Sequence, residues 1–533
     1  NLSLDSYRQL NEFDKIEEVS KKFLASALPG TFKGQVQTIL QKSKSDVIGE
    51  LALKSIEETG EVVEGLMKQC NEGKGTELGE KACYGAFVAV REKKDFDKQR
   101  ELAQKIVSEY PKSQYISDVL LSTARQSAEA GDFDTAAQYF EQVGGKMGTE
   151  SAGVDGYIAA AKLQLALDHT AEAIRDFESA AGVANAARKA EIYNQEADVW
   201  MKQNNLQRAR AAAESALRVD KLDSKAGSII AEVQAKTNPN ENPKALVATL
   251  TAIAQGPNGQ NEDTAKALWY LGEILFVHFK TMPADQVEQK VAALQELEGV
   301  YTQAASMGSP EWAVASLWRL GLAYQQLADS LETAPVPAGV TAEQWHAAVK
   351  EQVEPVKQRS EGAYKACVAR AQSLEVFSTA VIGCRQKSEN VKSPLVAATP
   401  GPMPAGIQDL QKRAQGATDP AVYEALGVAY LQARRLSLAQ LTLGRAAELQ
   451  DTRPSTHNAL GYSFLLAGDA MSARAEYGRA LDSDPTFEKA RANLAALRCR
   501  FGDPEGAKRE LSLIKDTSGL TGPDVDPDWR ACK

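Results

Sequence analysis

A register of 34 residues runs through the C-terminal part of this chain and constrains its fold more than any other feature. Leu426, Leu460 and Leu494 stand in step, and Gly427, Gly461 and Ala495 follow them. Ala439, Ala473 and Ala507 keep the same interval, as do Leu443, Tyr477 and Leu511, then Ala446, Ala480 and Ile514. Small residues recurring at fixed places between bulky ones are what two antiparallel helices need when they pack closely and then stack on a similar pair. The period predicts an all-α chain of tandem helix-turn-helix units, an α-solenoid in two or more segments. Stacked helix pairs make extended binding surfaces and rarely do chemistry.

At these positions the chain resembles the tetratricopeptide repeat (TPR) family, whose pattern wants a large residue, Leu-Gly, a Tyr, an Ala, an aromatic, an Ala and a Pro. The first repeat supplies Tyr423, Leu426, Gly427, Tyr430, Ala439, Leu443 and Ala446; the second supplies His457, Leu460, Gly461, Phe464, Ala473, Tyr477, Ala480 and Pro485. The third departs with Arg491, Arg498 and Cys499, which reads as a capping repeat with a polar outer face, since a terminal repeat has one side with no neighbour.

Second-helix signatures recur upstream. Gln99, Ala103 and Ile106 lead to Pro111; then come Ala136, Phe140 and Val143, next Ala173, Phe177 and Ala180, and finally Ala209, Ala213 and Ala216. Their first members are spaced by 37, 37 and 36 residues, a drift explained by longer turns. Residues 80 to 235 resemble the TPR segments of bacterial envelope proteins that assemble outer-membrane components. Leu317, Leu320, Gly321 and Tyr324 give one more first-helix signature, followed by a long helical run from Trp345 to Cys384.

Helices should stop where Pro, Gly and Asn cluster: TNPNENP at 237–243, GPNGQNED at 256–263, TAPVPAG at 333–339 and SPLVAATPGPMPAG at 393–406. The expected organisation is an N-terminal helical region over 1–115, with amphipathic stretches such as VIGELALKSIEE and a degenerate repeat at its end. TPR-like repeats follow over 116–236, then an irregular helical middle over 244–392, TPR repeats over 407–515 and a tail over 516–533.

Six cysteines fall as sequence-local pairs, Cys70 with Cys83, Cys367 with Cys384, and Cys499 with Cys532, and are expected as disulfides. The first pair brackets a polar turn, and the third would tie down a tail that otherwise looks loose. Closing a loop of about 15 residues stabilises by roughly 3 kcal/mol. Disulfides imply an oxidising compartment such as a periplasm; reduced thiols buried in a cytosolic protein are the alternative reading.

A net charge of −10 argues against nucleic acid as a partner, because that binding rests on Lys and Arg neutralising phosphates. No window approaches the roughly 20 apolar residues of a membrane helix. The chain begins at Asn1, which fits a processed protein whose signal or lipid-anchor segment lay upstream. Four histidines, His169, His278, His346 and His457, stand without second ligands at metal spacing, and the cysteine spacings match no zinc knuckle. GTFKGQ at 30–35 and GGKMGTE at 144–150 lack the ending of a phosphate loop and read as turns. No cofactor, metal or catalytic residue is expected, and the chain is read as a non-enzyme.

In stacked pairs the first helices line the groove, which places Val428 and Leu431, then Tyr462 and Leu465, as candidate peptide-binding residues for an extended or helical segment with hydrophobic anchors. Packing between neighbouring first helices is the other reading of those four. Chaperone-binding members of the family grip an acidic C-terminal segment with inward Lys and Asn; here the matching places hold Glu424, Val428, Asn458 and Tyr462, so only Asn458 fits and acidic-tail binding is not expected. The whole layout, with repeats at both ends and an APVP-containing middle, resembles TPR lipoproteins of myxobacterial gliding-motility complexes. That resemblance implies a periplasmic scaffold or adaptor whose partners are cell-envelope proteins, with outer-membrane association as a further expectation. The alternative is a periplasmic chaperone or assembly factor for outer-membrane proteins, and a cytoplasmic adaptor is the third.

Overall fold

The computed structural model describes residues 61–336 and 339–532, with isolated positions between 19 and 39. The amphipathic stretch at 47–58 and the glycines of GTFKGQ lie outside the described residues. Among the described residues every regular element is helical, an all-α array of antiparallel pairs forming a TPR-like solenoid. The chain divides into two compact units, Asn1–Met147 and Gly148–Lys533.

Seven of the described helix pairs, four before residue 220 and three after residue 419, turn from first helix to second by the same device. Lys94, Gly131, Asp168, Asn204, Arg434, Gly468 and Gly502 all sit in the left-handed region, with φ between 54° and 88°. Their order along the chain repeats the spacings of 37, 37 and 36, then 34 and 34. The residue after each one donates its amide five residues back, as in Asp95 to Val90, Asn205 to Trp200 and Asp469 to Phe464 at 2.9–3.0 Å, which satisfies a carbonyl the helix end would otherwise orphan. That following residue often caps the next helix with its side chain: Asp95, Asn205, Asp469 and Asp503 accept from the amides of Lys98, Arg208, Ser472 and Gly506. The longer period therefore leaves this turn unchanged.

In the first unit, Glu61–Glu72 is stapled to Glu77–Glu92 by Cys70–Cys83, with Cα atoms 4.6 Å apart. Phe87, Leu102, Ile106, Val119, Leu120 and Val143 form its core with Cys70 and Cys83. The helix Phe133–Met147 runs through Gly144 and Gly145, where a turn was expected, because Val143 and Gly144 lie on its buried face and packing carries the helix past them; the left-handed residue is Gly148 (φ 55°).

In the second unit the Leu-Gly step works as a lock between paired helices. A Cβ at Gly461 would stand 2.7 Å from the Tyr477 ring, and one at Gly427 would stand 2.5 Å from Leu443. The middle region uses the same lock on longer helices: a Cβ at Gly272 would meet Tyr301 at 2.4 Å, and one at Gly321 would meet Tyr364 at 2.6 Å. These glycines join Glu262–Thr281 to Val287–Ser306 and Pro310–Thr333 to Ala342–Leu374. What looked irregular in sequence is a pair of lengthened repeats.

The run from Trp345 to Cys384 is two helices. Ala342–Leu374 ends at Glu375, a left-handed residue (φ 50°), and the chain restarts at Thr379–Gln386. Val376 and Phe377 are buried in the break, and the Glu375 carboxylate is held by both Arg474 and Arg498 from the C-terminal repeats. Those partners are about a hundred residues away in sequence, so local periodicity does not register the break. Cys367–Cys384 spans it, Cα atoms 6.3 Å apart. Arg498 also pairs with Asp503 at 3.2 Å, and Arg491 with Glu510 at 2.9 Å. The third repeat accordingly turns its arginines to partners within the unit, where an open polar cap was expected.

Helices do stop at 237–243, 256–263, 333–339 and 393–406. The last of these packs as a strap along the C-terminal repeats: the amides of Ala398 and Gly401 donate to the carbonyls of Leu466 and Ala433 at 2.8 and 2.9 Å. Arg435 in turn reaches Asp168 at 2.9 Å, joining the last repeats to the helices Ser151–Ala166 and Thr170–Val183 of the same unit.

Candidate peptide-binding groove

Three of the four side chains expected to line the groove are buried: Leu431, Tyr462 and Leu465, while Val428 is half-buried. The groove between the first helices Pro454–Leu466 and Glu488–Arg500 is nevertheless filled by a segment that turns through Gly522–Val525 without forming an α-helix. The occupant is the chain's own tail.

On the helix Glu488–Arg500, Lys489, Asn493, Ala496 and Arg500 are spaced by four, three and four residues and therefore share one face. Asn458 on Pro454–Leu466 stands beside Asn493, and the Asn493 amide donates to the Asn458 side-chain oxygen at 2.8 Å. Both amides also donate to the main-chain carbonyl of Asp524, from 3.1 Å for Asn458 and 2.9 Å for Asn493. The Asn493 oxygen in turn accepts the main-chain amide of Asp526 at 2.7 Å. Two asparagines thus take a donor and an acceptor of a tail backbone that turns at Pro523–Asp524 and has no helical partner for them.

The side chains of the tail are read as well. Asp524 binds Lys489 at 3.0 Å and the Asn458 amide at 3.0 Å. The Arg500 guanidinium donates to one oxygen of Asp526 at 2.9 Å, stands in an ion pair 2.7 Å from the other, and also donates to Asp528 at 2.6 Å. Burial pushes the Asp526 carboxyl up from the usual carboxylate range, and the charge of Arg500 opposes that rise. Tyr462 adjoins this cluster; burial, then the negative charge of Asp526, raise its hydroxyl, while Arg434 hydrogen-bonds it and pulls the other way.

Beyond the three aspartates lies an aromatic anchor. Trp529, 2% exposed, packs with Leu520 and Val525 onto Ala492 and Ala496, whose small side chains leave room for the indole. A short 3₁₀ turn, Pro527–Cys532, ends at the disulfide Cys499–Cys532, Cα atoms 5.9 Å apart, which fixes the tail to the helix that reads it. Upstream, the Glu488 carboxylate accepts the amides of Lys515 and Asp516, both at 2.9 Å.

An acidic segment is therefore held here, contrary to the sequence expectation, and by a different set of residues. Asn458 fits the family position, but its partner Asn493 lies 35 residues on, one place out of register, and Lys489 and Arg500 lie on the divergent third repeat. Two sequence signals do mark the arrangement: the shared helix face of Lys489, Asn493 and Arg500, and the alternation of Asp524, Asp526 and Asp528 just before a Trp.

His457 sits next to Asn458 and is 1% exposed. Its Nδ1 faces Glu476 at 2.7 Å and its Nε2 faces the Asp451 carbonyl at 2.7 Å. The hydrogen bond to Glu476 raises its pKa above the ordinary imidazole value, against burial, with the Asp451 carbonyl adding to the rise. Among the described residues no group of His, Cys, Asp and Glu is arranged to hold a metal ion, and no helix is long and apolar enough to cross a membrane.

A comparison with family models agrees with this architecture over part of the chain. Residues 75–238 match the family model of a tetratricopeptide repeat-like domain. No curated protein matches the chain. Among solved structures, the complex of Naa15/Naa10 bound to HypK-THB aligns with 83% of this chain and 69% of its own at 15% identity, with a TM-score of 0.30. With the family match over residues 75–238, and the recurrent left-handed turn and the Leu-Gly lock beyond them, the chain has the all-α, TPR-like solenoid fold.

Proposed function

We propose that this chain is a non-enzymatic scaffold or adaptor of a bacterial cell-envelope complex, working in the periplasm. The TPR-like fold itself implies protein partners. The observation that carries the finer reading is the groove that holds a non-helical acidic segment through paired asparagines, an arginine paired with two aspartates and an aromatic pocket, beside three disulfides of the kind that persist in oxidising compartments. A groove that reads individual carboxylates selects one sequence. A chaperone holding many unfolded clients needs a tolerant surface, so the scaffold reading is favoured over the assembly-factor one. Within it, the gliding-motility machinery is the specific complex suggested by the resemblance to myxobacterial TPR lipoproteins, with an anchor upstream of Asn1 as part of that resemblance.

The test is affinity purification of the full chain from crosslinked cell envelopes. Stoichiometric recovery of a fixed set of envelope proteins is expected; a broad, substoichiometric set of unfolded outer-membrane clients would favour the chaperone, and a cytosolic set would defeat both.

A further inference from the structure

We infer that the tail is a built-in competitor for the C-terminal groove, and that the groove's partner is an acidic segment carrying the tail's own chemistry and turn, alternating aspartates followed by an aromatic anchor. The inference rests on the scaffold reading for its biological setting and on the groove geometry for its chemistry.

The tail is held as a docked peptide would be. Between Leu513 and Asp526 it forms no helix, and among its described residues only Pro527–Cys532 is regular. Its main chain is gripped at Asp524 and Asp526 by Asn458 and Asn493, its carboxylates by Lys489 and Arg500, and its indole by the Ala492 and Ala496 pocket. Main-chain bonds supply affinity in such docking and side-chain pockets supply selectivity. The locks of the two preceding pairs, Gly427 on Leu443 and Gly461 on Tyr477, lie between first and second helices and do not involve the tail, whereas the last pair shares Ala495 and Ala507 in one cluster with Cys532. Departure of the tail therefore leaves the two locked pairs intact and uncovers the last one.

Departure leaves a groove that demands replacement. Asn458 and Asn493 would keep only each other, and Lys489 and Arg500 would lose their carboxylates. A segment of the same chemistry restores these bonds, and neutral or basic segments do not. Two features oppose exchange in the resting chain: the short tether gives the tail a high effective concentration at the groove, and Cys499–Cys532 prevents the anchored end from swinging away. Affinity for a partner is thereby set by competition with a covalently attached rival.

A labelled peptide of residues 518–530 is titrated, with fluorescence anisotropy as readout, into three forms of the protein: wild type, the unlatched full-length Cys499→Ser/Cys532→Ser variant, and a chain truncated after Lys515. The truncated chain is expected to bind the peptide at least about tenfold more tightly than wild type, with the unlatched form between them. Asn493→Ala in the truncated chain, or Asp524→Ala/Asp526→Ala in the peptide, is expected to weaken binding at least about tenfold. If the truncated chain loses its cooperative melt, the unlatched form decides the matter by hydrogen exchange: residues 520–530 should exchange faster than the helix Glu488–Arg500, and excess peptide should displace them. The inference is overturned if a folded truncated or unlatched chain fails to bind the peptide, binds the scrambled peptide equally well, or forms a dimer by trading tails. Peptide binding in pure protein is independent of any envelope complex, so failure of the scaffold reading and failure of the groove reading are separately visible.

Discussion

Asn493 donates its side-chain amide both to the oxygen of Asn458, at 2.8 Å, and to the main-chain carbonyl of Asp524, at 2.9 Å, so that one fully buried residue joins two repeats to the tail. Asn493→Ala removes both donations and the acceptor of the Asp526 amide, leaving buried polar groups without partners at about 1–3 kcal/mol each. Because the tail can relax away, the expected loss is the lower part of that range, read from the urea midpoint of the folded chain. Asn493→Asp should be worse than Asn493→Ala, since it sets a carboxylate against the Asp524 carbonyl; equal stability of the two would contradict the assigned donor roles.

Arg500 spans both oxygens of Asp526 and one of Asp528. Replacement by Lys keeps the charge and loses the fork, so Arg500→Lys should leave the tail nearly as exposed to hydrogen exchange as Arg500→Gln does. Protection of residues 524–529 restored by Lys would show that charge alone holds the tail.

The pH response of the C-terminal repeats should run through His457. Both ring nitrogens face acceptors, with Glu476 on one side, itself paired to Arg479 at 2.8 Å, and the Asp451 carbonyl and carboxylate on the other. Its folded pKa is raised above the unfolded value of about 6.5. The stabilisation is therefore complete below that unfolded value and is lost as pH rises through the folded pKa. Thermal melts should show the wild type losing stability between mildly acid and mildly alkaline pH, and His457→Gln should flatten that slope.

The Leu-Gly lock makes opposite predictions for two helical glycines. Gly461→Ala drives a methyl to 2.7 Å from the Tyr477 ring and should cost about 1–3 kcal/mol. At Gly444, in the helix Leu436–Leu449, an added methyl would meet nothing within 4 Å. Gly444→Ala should stabilise by about 0.5–1 kcal/mol through helix propensity. Denaturant unfolding of the pair decides it, and a shift of the same sign in both would remove the lock.

Peptide mapping without reduction should recover the three linkages Cys70–Cys83, Cys367–Cys384 and Cys499–Cys532. Ablating the middle one by Cys367→Ser/Cys384→Ser should cost about 2–4 kcal/mol, because it closes the break after Leu374 as well as a loop of the unfolded chain. An unchanged urea midpoint would show that the Arg474 and Arg498 pairs with Glu375 hold that break unaided.

The sequence by itself determined the repeating unit. Helix pairing is local: a glycine opposite a tyrosine and a left-handed turn every 34 to 37 residues are decided within one repeat, and the register of Leu426, Leu460 and Leu494 carries that through the chain. The cysteine pairing was legible for the same reason, each pair being close in sequence. Tertiary structure alone decided where the helix after Ala342 breaks, because the Glu375 partners Arg474 and Arg498 come from repeats far along the chain. It also decided what fills the groove. Asn458, Asn493 and Asp524 become one site only when two neighbouring repeats and a non-helical tail converge, and a three-body arrangement of buried polar groups has no period for a sequence to display.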